Sequence, residues 1–170
     1  MRFFKIIAAF LALHLLPVQL ALAAALTPPA GEVILEINGA IGTTNQDGAA
    51  VFDLAMLEAL TQRETITATP WYDGVQTFSG PTIADLMTTV GATGGTLRVI
   101  AINDYAVEMP MADVSGYPVI LATRHNGEPM SVRDKGPLFV IYPFDEFPDL
   151  VNEVYFARSV WQVKRIEVLP

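Results

Sequence analysis

Beyond residue 25 the chain alternates short apolar runs with turn-formers. Val33–Asn38 is apolar and β-branched and stops at Gly39, which predicts a strand. Gly42–Gly48 holds Thr, Asn, Asp and Gly, the composition of a loop. Asp53 precedes a helical spacing of Leu54, Met56, Leu57 and Leu60, so it is read as the cap of a short helix over Leu54–Leu60. Thr65–Thr69 reads as a strand stopped by Pro70, and Trp71–Ser79 as a loop or irregular hairpin around Asp73-Gly74. A second helix is expected with Pro81 in its first turn and Gly91 just past its end; Ile83, Leu86, Met87 and Val90 form its buried stripe.

The rest reads as strands. Leu97–Ile102 and Tyr105–Pro110 form a hairpin around Asn103-Asp104. Pro118–Thr123 is a strand, Asn126-Gly127 a tight turn, and Met130–Val132 a short return strand. Leu138–Tyr142 is continuously apolar, as a fully buried strand is, and Trp161–Val168 ends the chain as a strand. Pro143–Ser159, with two prolines and four acidic residues, reads as a long loop with one helical turn. No repeat or interdomain linker interrupts the pattern. The expected class is α+β, a single β-dominant domain with two short helices.

The first residues follow another pattern. Arg2 and Lys5 precede an apolar run from Ile6, and Ala21-Leu22-Ala23 fits a small-residue cleavage site. His14, Pro17 and Gln19 interrupt the run, which argues against a membrane span. Residues 1–23 are therefore expected to be a cleaved signal peptide, 24–170 the functional domain, and the periplasm its compartment. The leader accounts for much of the 52% apolar content, which exceeds the about 45–50% of ordinary soluble chains.

Charge and composition exclude several functions. The formal net charge is −8, and losing Arg2 and Lys5 with the leader takes it to about −10. Such a domain does not attract nucleic acid by non-specific electrostatics. There is no cysteine, hence no thiol nucleophile, iron–sulfur cluster or thiolate-held metal. His125 is the one histidine beyond the leader, so no multi-histidine zinc site forms. Phosphate-loop, dinucleotide and nucleophile-elbow motifs are absent. Asp145, Glu146, Asp149 and Glu153 lack calcium-loop spacing and read as a solvated acidic loop. Six of the eight basic residues beyond the leader (Arg124, Arg133, Lys135, Arg158, Lys164 and Arg165) crowd the last third, which suggests an anion or acidic-partner site beside the alternative of a mixed, solvated face. Asn103-Asp104 forms an Asx-turn unaided.

Several stretches carry a resemblance. Thr67–Trp71 (T-x-T-P-W), Phe78–Met87, Ala101–Pro110 (with N-D-Y), Ile120–Ala122, Asn126–Met130, Arg133–Pro143 (with D-K-G-P-L) and Trp161–Val168 together resemble the molybdopterin-binding domain of the sulfite oxidase fold, in a small exported version. That resemblance implies a single domain of layered sheets with two short helices. Enzymes of that fold hold molybdenum through a cysteine placed after the strand that here ends at Thr69-Pro70, and a threonine hydroxyl does not replace a soft thiolate. The chain thus resembles a subgroup of metal-free periplasmic proteins that bind reduced pterins and signal to an inner-membrane enzyme of cyclic di-GMP turnover, a diguanylate cyclase or phosphodiesterase. A pterin needs flat apolar walls and a few convergent polar groups. Trp71, Tyr105 and Trp161 are candidate walls, and Asp104 or Asp134 candidate acceptors. Asn103, Arg124, His125, Arg133 and Arg158 are candidates for the ring oxygens or the side chain. The alternatives are a molybdopterin-dependent oxidoreductase-like protein, degenerate or with a non-cysteine ligand, and an interaction scaffold with an empty pocket.

Overall fold

A computed structural model describes residues 26–170; the expected signal peptide lies outside the described residues. Strands dominate, as read. In chain order they are β1 (Leu35–Gly39), β2 (Ala50–Phe52), β3 (Gln62–Thr69), β4 (Tyr72–Pro81), β5 (Thr96–Ala101), β6 (Ala106–Pro110), β7 (Ile120–Ala122), β8 (Arg124–His125), β9 (Glu128–Pro129), β10 (Phe139–Ile141) and β11 (Val163–Leu169). The helices are α1 (Leu54–Glu58), α2 (Ile83–Thr89), α3 (Met111–Gly116) and α4 (Glu153–Arg158), with 3-10 turns at Val132–Asp134 and Pro148–Leu150.

The strands form three sheets: β2-β1-β11-β5-β6, β3-β4-β8-β9 and the pair β10-β7. β11 sits at the centre of the first, parallel to β1 and antiparallel to β5. The alternation of Leu35 and Ile37, of Leu97 and Val99, and of Ile166 and Val168 turns one face of this sheet toward α2, whose Ile83, Leu86 and Met87 close the main core. Fully burying one such side chain stabilises by about 1.5–3 kcal/mol. A second cluster, Phe78, Ile120, Ala122, Met130, Phe139 and Ile141, lies where the other two sheets meet. Trp71 packs against both clusters.

The caps follow the sequence. The Asp53 carboxylate accepts from Met56 N at 2.8 Å and also from Ala30 N and Gly31 N at 2.9 and 2.7 Å; these backbone donors hold its pKa below the ordinary value. Gly91, just beyond α2, has φ +62°, the left-handed conformation that ends helices. The start of α2 is displaced by a residue or two from the expectation: Pro81 closes β4, and Thr82 caps the helix by accepting from Asp85 N at 3.0 Å. Such a cap contributes about 1 kcal/mol.

Other expectations are corrected. Of the loop or irregular hairpin expected over Trp71–Ser79, the hairpin is what forms: from Tyr72 the chain is β4, which pairs back on β3 with a register shift at Ala68/Thr69 and also pairs with β8, despite its polar residues. The return strand expected at Met130–Val132 falls at Glu128–Pro129. Asn126 and Gly127, at φ +51° and +86°, make a two-residue turn that pairs His125 with Glu128. Among the described residues there are four short helices where two were expected. α3 starts directly after Pro110, and α4 falls in the long loop where one helical turn was expected, capped by Asn152, which accepts from Val154 N at 3.0 Å.

Candidate functional site

The hairpin turn between β5 and β6 builds one wall of a cavity. Asp104 N donates to Ala101 O at 3.0 Å, and Ala101 N to Tyr105 O at 2.8 Å. Asn103 Oδ1 accepts from Tyr105 N at 3.2 Å, the expected Asx-turn. The turn leaves Tyr105 half-exposed over the opening.

Trp161 stands opposite on the approach to β11. Val160 O accepts from Val140 N and Gln162 N donates to Lys135 O, so the backbone is pinned on both sides and the indole emerges between. Trp71, just after β3, lies edge-on to Trp161 with ring centroids 6.0 Å apart at 74°. Phe156 of α4 meets Trp71 edge-on at 6.1 Å. Such pairs contribute about 0.5–1.5 kcal/mol beyond area burial and fix the orientation of the rings.

These four aromatics, with Asn103 and Glu153, line an open cavity of about 450 Å³. Ala101, Ala157, Ser159 and Val160 complete it. Glu153 is its one ionisable side chain at neutral pH, and no cation lines it.

Four of the ten residues expected at the site therefore meet: Trp71, Asn103, Tyr105 and Trp161. The other six do not line the cavity. Asp104 sits at the turn with φ +65°, and its carboxylate is bound to Lys164 Nζ at 2.7 Å; that hydrogen bond and charge lower its pKa. Arg124 pairs with Glu58 on α1 at 2.7 Å. His125 stacks on Phe78 at 5.0 Å and shares a 2.8 Å hydrogen bond with Gln76. Burial and then the charge of Lys135 lower its pKa, which disfavours the imidazolium. Asp134 accepts from Ser131 Oγ at 2.6 Å, while Arg133 beside it is exposed. Arg158 turns the other way, to Asp113 at 2.8 Å.

The basic cluster of the last third is likewise dispersed. Arg124, Arg158, Lys164 and Arg165 are each drawn to a carboxylate on a different element. Lys135 lies over the Tyr72 ring at 4.2 Å. No anion site assembles from these side chains.

Glu153 and Phe156 were not anticipated as site residues. The signal available was Asn152 as a helix cap, followed by Glu153 in the first turn and Arg158 in the last.

The donor set does not fit a thiolate-bound metal. Thr65, Thr67 and Thr69 face inward from β3, and the Thr65 and Thr69 hydroxyls are buried with no hydrogen-bond partner among the described residues. Thr69 stands where the resemblance would place a thiolate, and its neutral hydroxyl is a hard, weak donor. No group of three or more metal-ligating side chains occurs among the described residues. The lining holds no nucleophile–base pair. What it offers is flat apolar walls, an amide, a carboxylate and the hydroxyls of Tyr105 and Ser159.

Comparison with solved structures agrees with this architecture. Among 28 matching chains is one from the sulfane dehydrogenase SoxCD of Paracoccus pantotrophus, with a TM-score of 0.58 and 19% identity over 79% of this chain. The match covers 37% of that chain, so the protein spans little more than a third of its neighbour's length. At that identity the likeness speaks of fold alone, a strand-dominated α+β architecture. No family model and no curated protein matches the sequence.

Proposed function

We propose that the protein is an exported, metal-free binding protein for a reduced pterin, held between Trp71, Tyr105 and Trp161. The observation that carries this reading is the cavity itself. Both tryptophans of the chain line it, and its volume of about 450 Å³ suits a bicyclic ligand with a short substituent. Calorimetric titration with a tetrahydropterin tests the reading: saturable binding of one ligand per chain is expected, and no binding by the folded domain contradicts it.

The fold likeness to a sulfane dehydrogenase favours a second reading, an oxidoreductase-like protein that uses molybdopterin. The missing thiolate counts against it, and the reading then reduces to a degenerate relative that retains the pocket.

A binding protein without catalytic groups acts through a partner. We propose that the pterin-loaded form associates with the periplasmic segment of a membrane-bound diguanylate cyclase or phosphodiesterase. The ligand biases that association only through its differential affinity for the free and bound states, typically about 5–150-fold. Capture of such a segment is expected to rise with pterin present. Equal capture with and without it removes the relay.

A further inference from the structure

We infer that Glu153 is the specificity-determining residue of the cavity, and that it selects a fused 2-amino-4-oxopyrimidine ring over its 2,4-dioxo counterpart. The inference rests on the proposed binding of a flat heterocycle in this cavity and goes beyond it by naming the edge that is read.

Beside the Tyr105 hydroxyl and the Ser159 hydroxyl, which donates to Tyr155 O at 2.9 Å, two polar side chains of opposite hydrogen-bonding sense bear on the cavity. Asn103 uses its Oδ1 to accept from Tyr105 N at 3.2 Å. Its Nδ2 then remains a donor with no partner among the described residues. Glu153 is exposed, lines the cavity from the first turn of α4, and its carboxylate has no hydrogen bond or ion pair among the described residues. An ionised carboxylate only accepts, and it accepts two parallel hydrogen bonds well. One donor and one double acceptor complement an edge that shows a carbonyl oxygen followed by a ring N–H and an exocyclic amine. The 2-amino-4-oxopyrimidine edge has that sequence. Replacing the amine by a second carbonyl sets an oxygen against the carboxylate, which repels it and leaves one acceptor site unpaired.

The same carboxylate disfavours anionic ligands. With Glu153 the one charged lining residue and no cation to offset it, a phosphate near the cavity is repelled rather than held. The site is therefore matched to an uncharged, unphosphorylated ring.

Two sources supply this edge, a pterin and a guanine, and titration separates them. The folded domain and its Glu153→Gln variant are titrated with tetrahydropterin, tetrahydrolumazine and guanosine. Glu153 is exposed and glutamine keeps the helix, so the variant folds. The expected result is a preference for tetrahydropterin over tetrahydrolumazine of about ten- to a hundred-fold, falling to within about threefold in Glu153→Gln. Equal binding of the two by the native chain, or a preference kept in the variant, overturns the role of Glu153 and leaves the pterin reading standing. Tighter binding of guanosine than of tetrahydropterin, lost in the variant, supports Glu153 and overturns the pterin. Binding of none of the three overturns both.

Discussion

Trp161→Ala is expected to weaken tetrahydropterin binding about ten- to a hundred-fold while leaving the domain folded. The indole is 39% exposed and touches its neighbours edge-on, so its removal opens no sealed core. What is lost is one wall of the cavity. A bound ring that covers roughly 50–80 Å² of that indole gains about 1–2 kcal/mol from apolar burial. Aromatic stacking adds about 0.5–1.5 kcal/mol. The total, about 1.5–3 kcal/mol, corresponds to that range of affinity. Trp71→Ala is a poorer test because Trp71 joins the two hydrophobic clusters and its loss disturbs both. Asp104→Ala is the informative control. Its carboxylate is engaged by Lys164 outside the lining, so its affinity is expected to stay within about threefold of native. A folded Trp161→Ala domain with native affinity would place the ligand elsewhere.

The second large effect is on stability. Asp113→Ala is expected to destabilise the fold by about 3 kcal/mol, read as a lowered denaturation midpoint in urea. Asp113, on α3, is 7% exposed and accepts from the Tyr142 hydroxyl at 2.9 Å and from Arg158 at 2.8 Å. Burial and the adjacent carboxylate push the Tyr142 pKa up, so its hydroxyl stays protonated and donates throughout the accessible pH range. Without Asp113 the wholly buried Tyr142 hydroxyl and the Arg158 guanidinium both lose their acceptor. Breaking a buried pair from one side costs about 3–5 kcal/mol, and the partial exposure of Arg158 favours the lower end. Against a typical total of about 5–15 kcal/mol this is a large fraction. Asp113→Asn keeps one acceptor oxygen and is expected to lose less. An unchanged midpoint in Asp113→Ala would mean that other contacts hold α4 in place.

That network also bears on binding. Arg158 ends the helix whose other residues, Glu153, Phe156 and Ala157, form one side of the cavity. The tie between α3, Tyr142 and α4 thus sets the position of the wall that carries the carboxylate.

The parts of the site that were legible in the sequence are those made by local chemistry. Asn103 and Asp104 announce a turn wherever they occur together between apolar runs, and the turn places Tyr105 at its shoulder. Pro70 stops β3 and leaves Trp71 at its end for the same kind of reason. Of the six residues that did not reach the cavity, Asp104, Arg124, His125 and Arg158 were drawn away by long-range pairing, while Asp134 is held locally by Ser131 and Arg133 faces solvent. Arg124 meets Glu58 across 66 positions and Arg158 meets Asp113 across 45, partnerships that only the fold creates. A cluster of basic residues in sequence therefore became separate ion pairs in space. Glu153 was obscured by its neighbours: two prolines and several carboxylates around it read as loop, and a six-residue helix gives too short a period to stand out. β4 was hidden differently, since a strand flanked on both sides draws its stability from pairing and tolerates polar residues.

The central claim is that a pterin occupies the cavity between the two tryptophans, and intrinsic fluorescence tests it most directly. The chain has two tryptophans and both line the cavity, so all of the indole signal comes from its walls. Titration of the folded domain with a tetrahydropterin under reducing conditions is predicted to change that emission saturably, with one ligand per chain and a midpoint shifted about ten- to a hundred-fold by Glu153→Gln. An emission that changes only in proportion to added ligand, without saturation, would contradict the account.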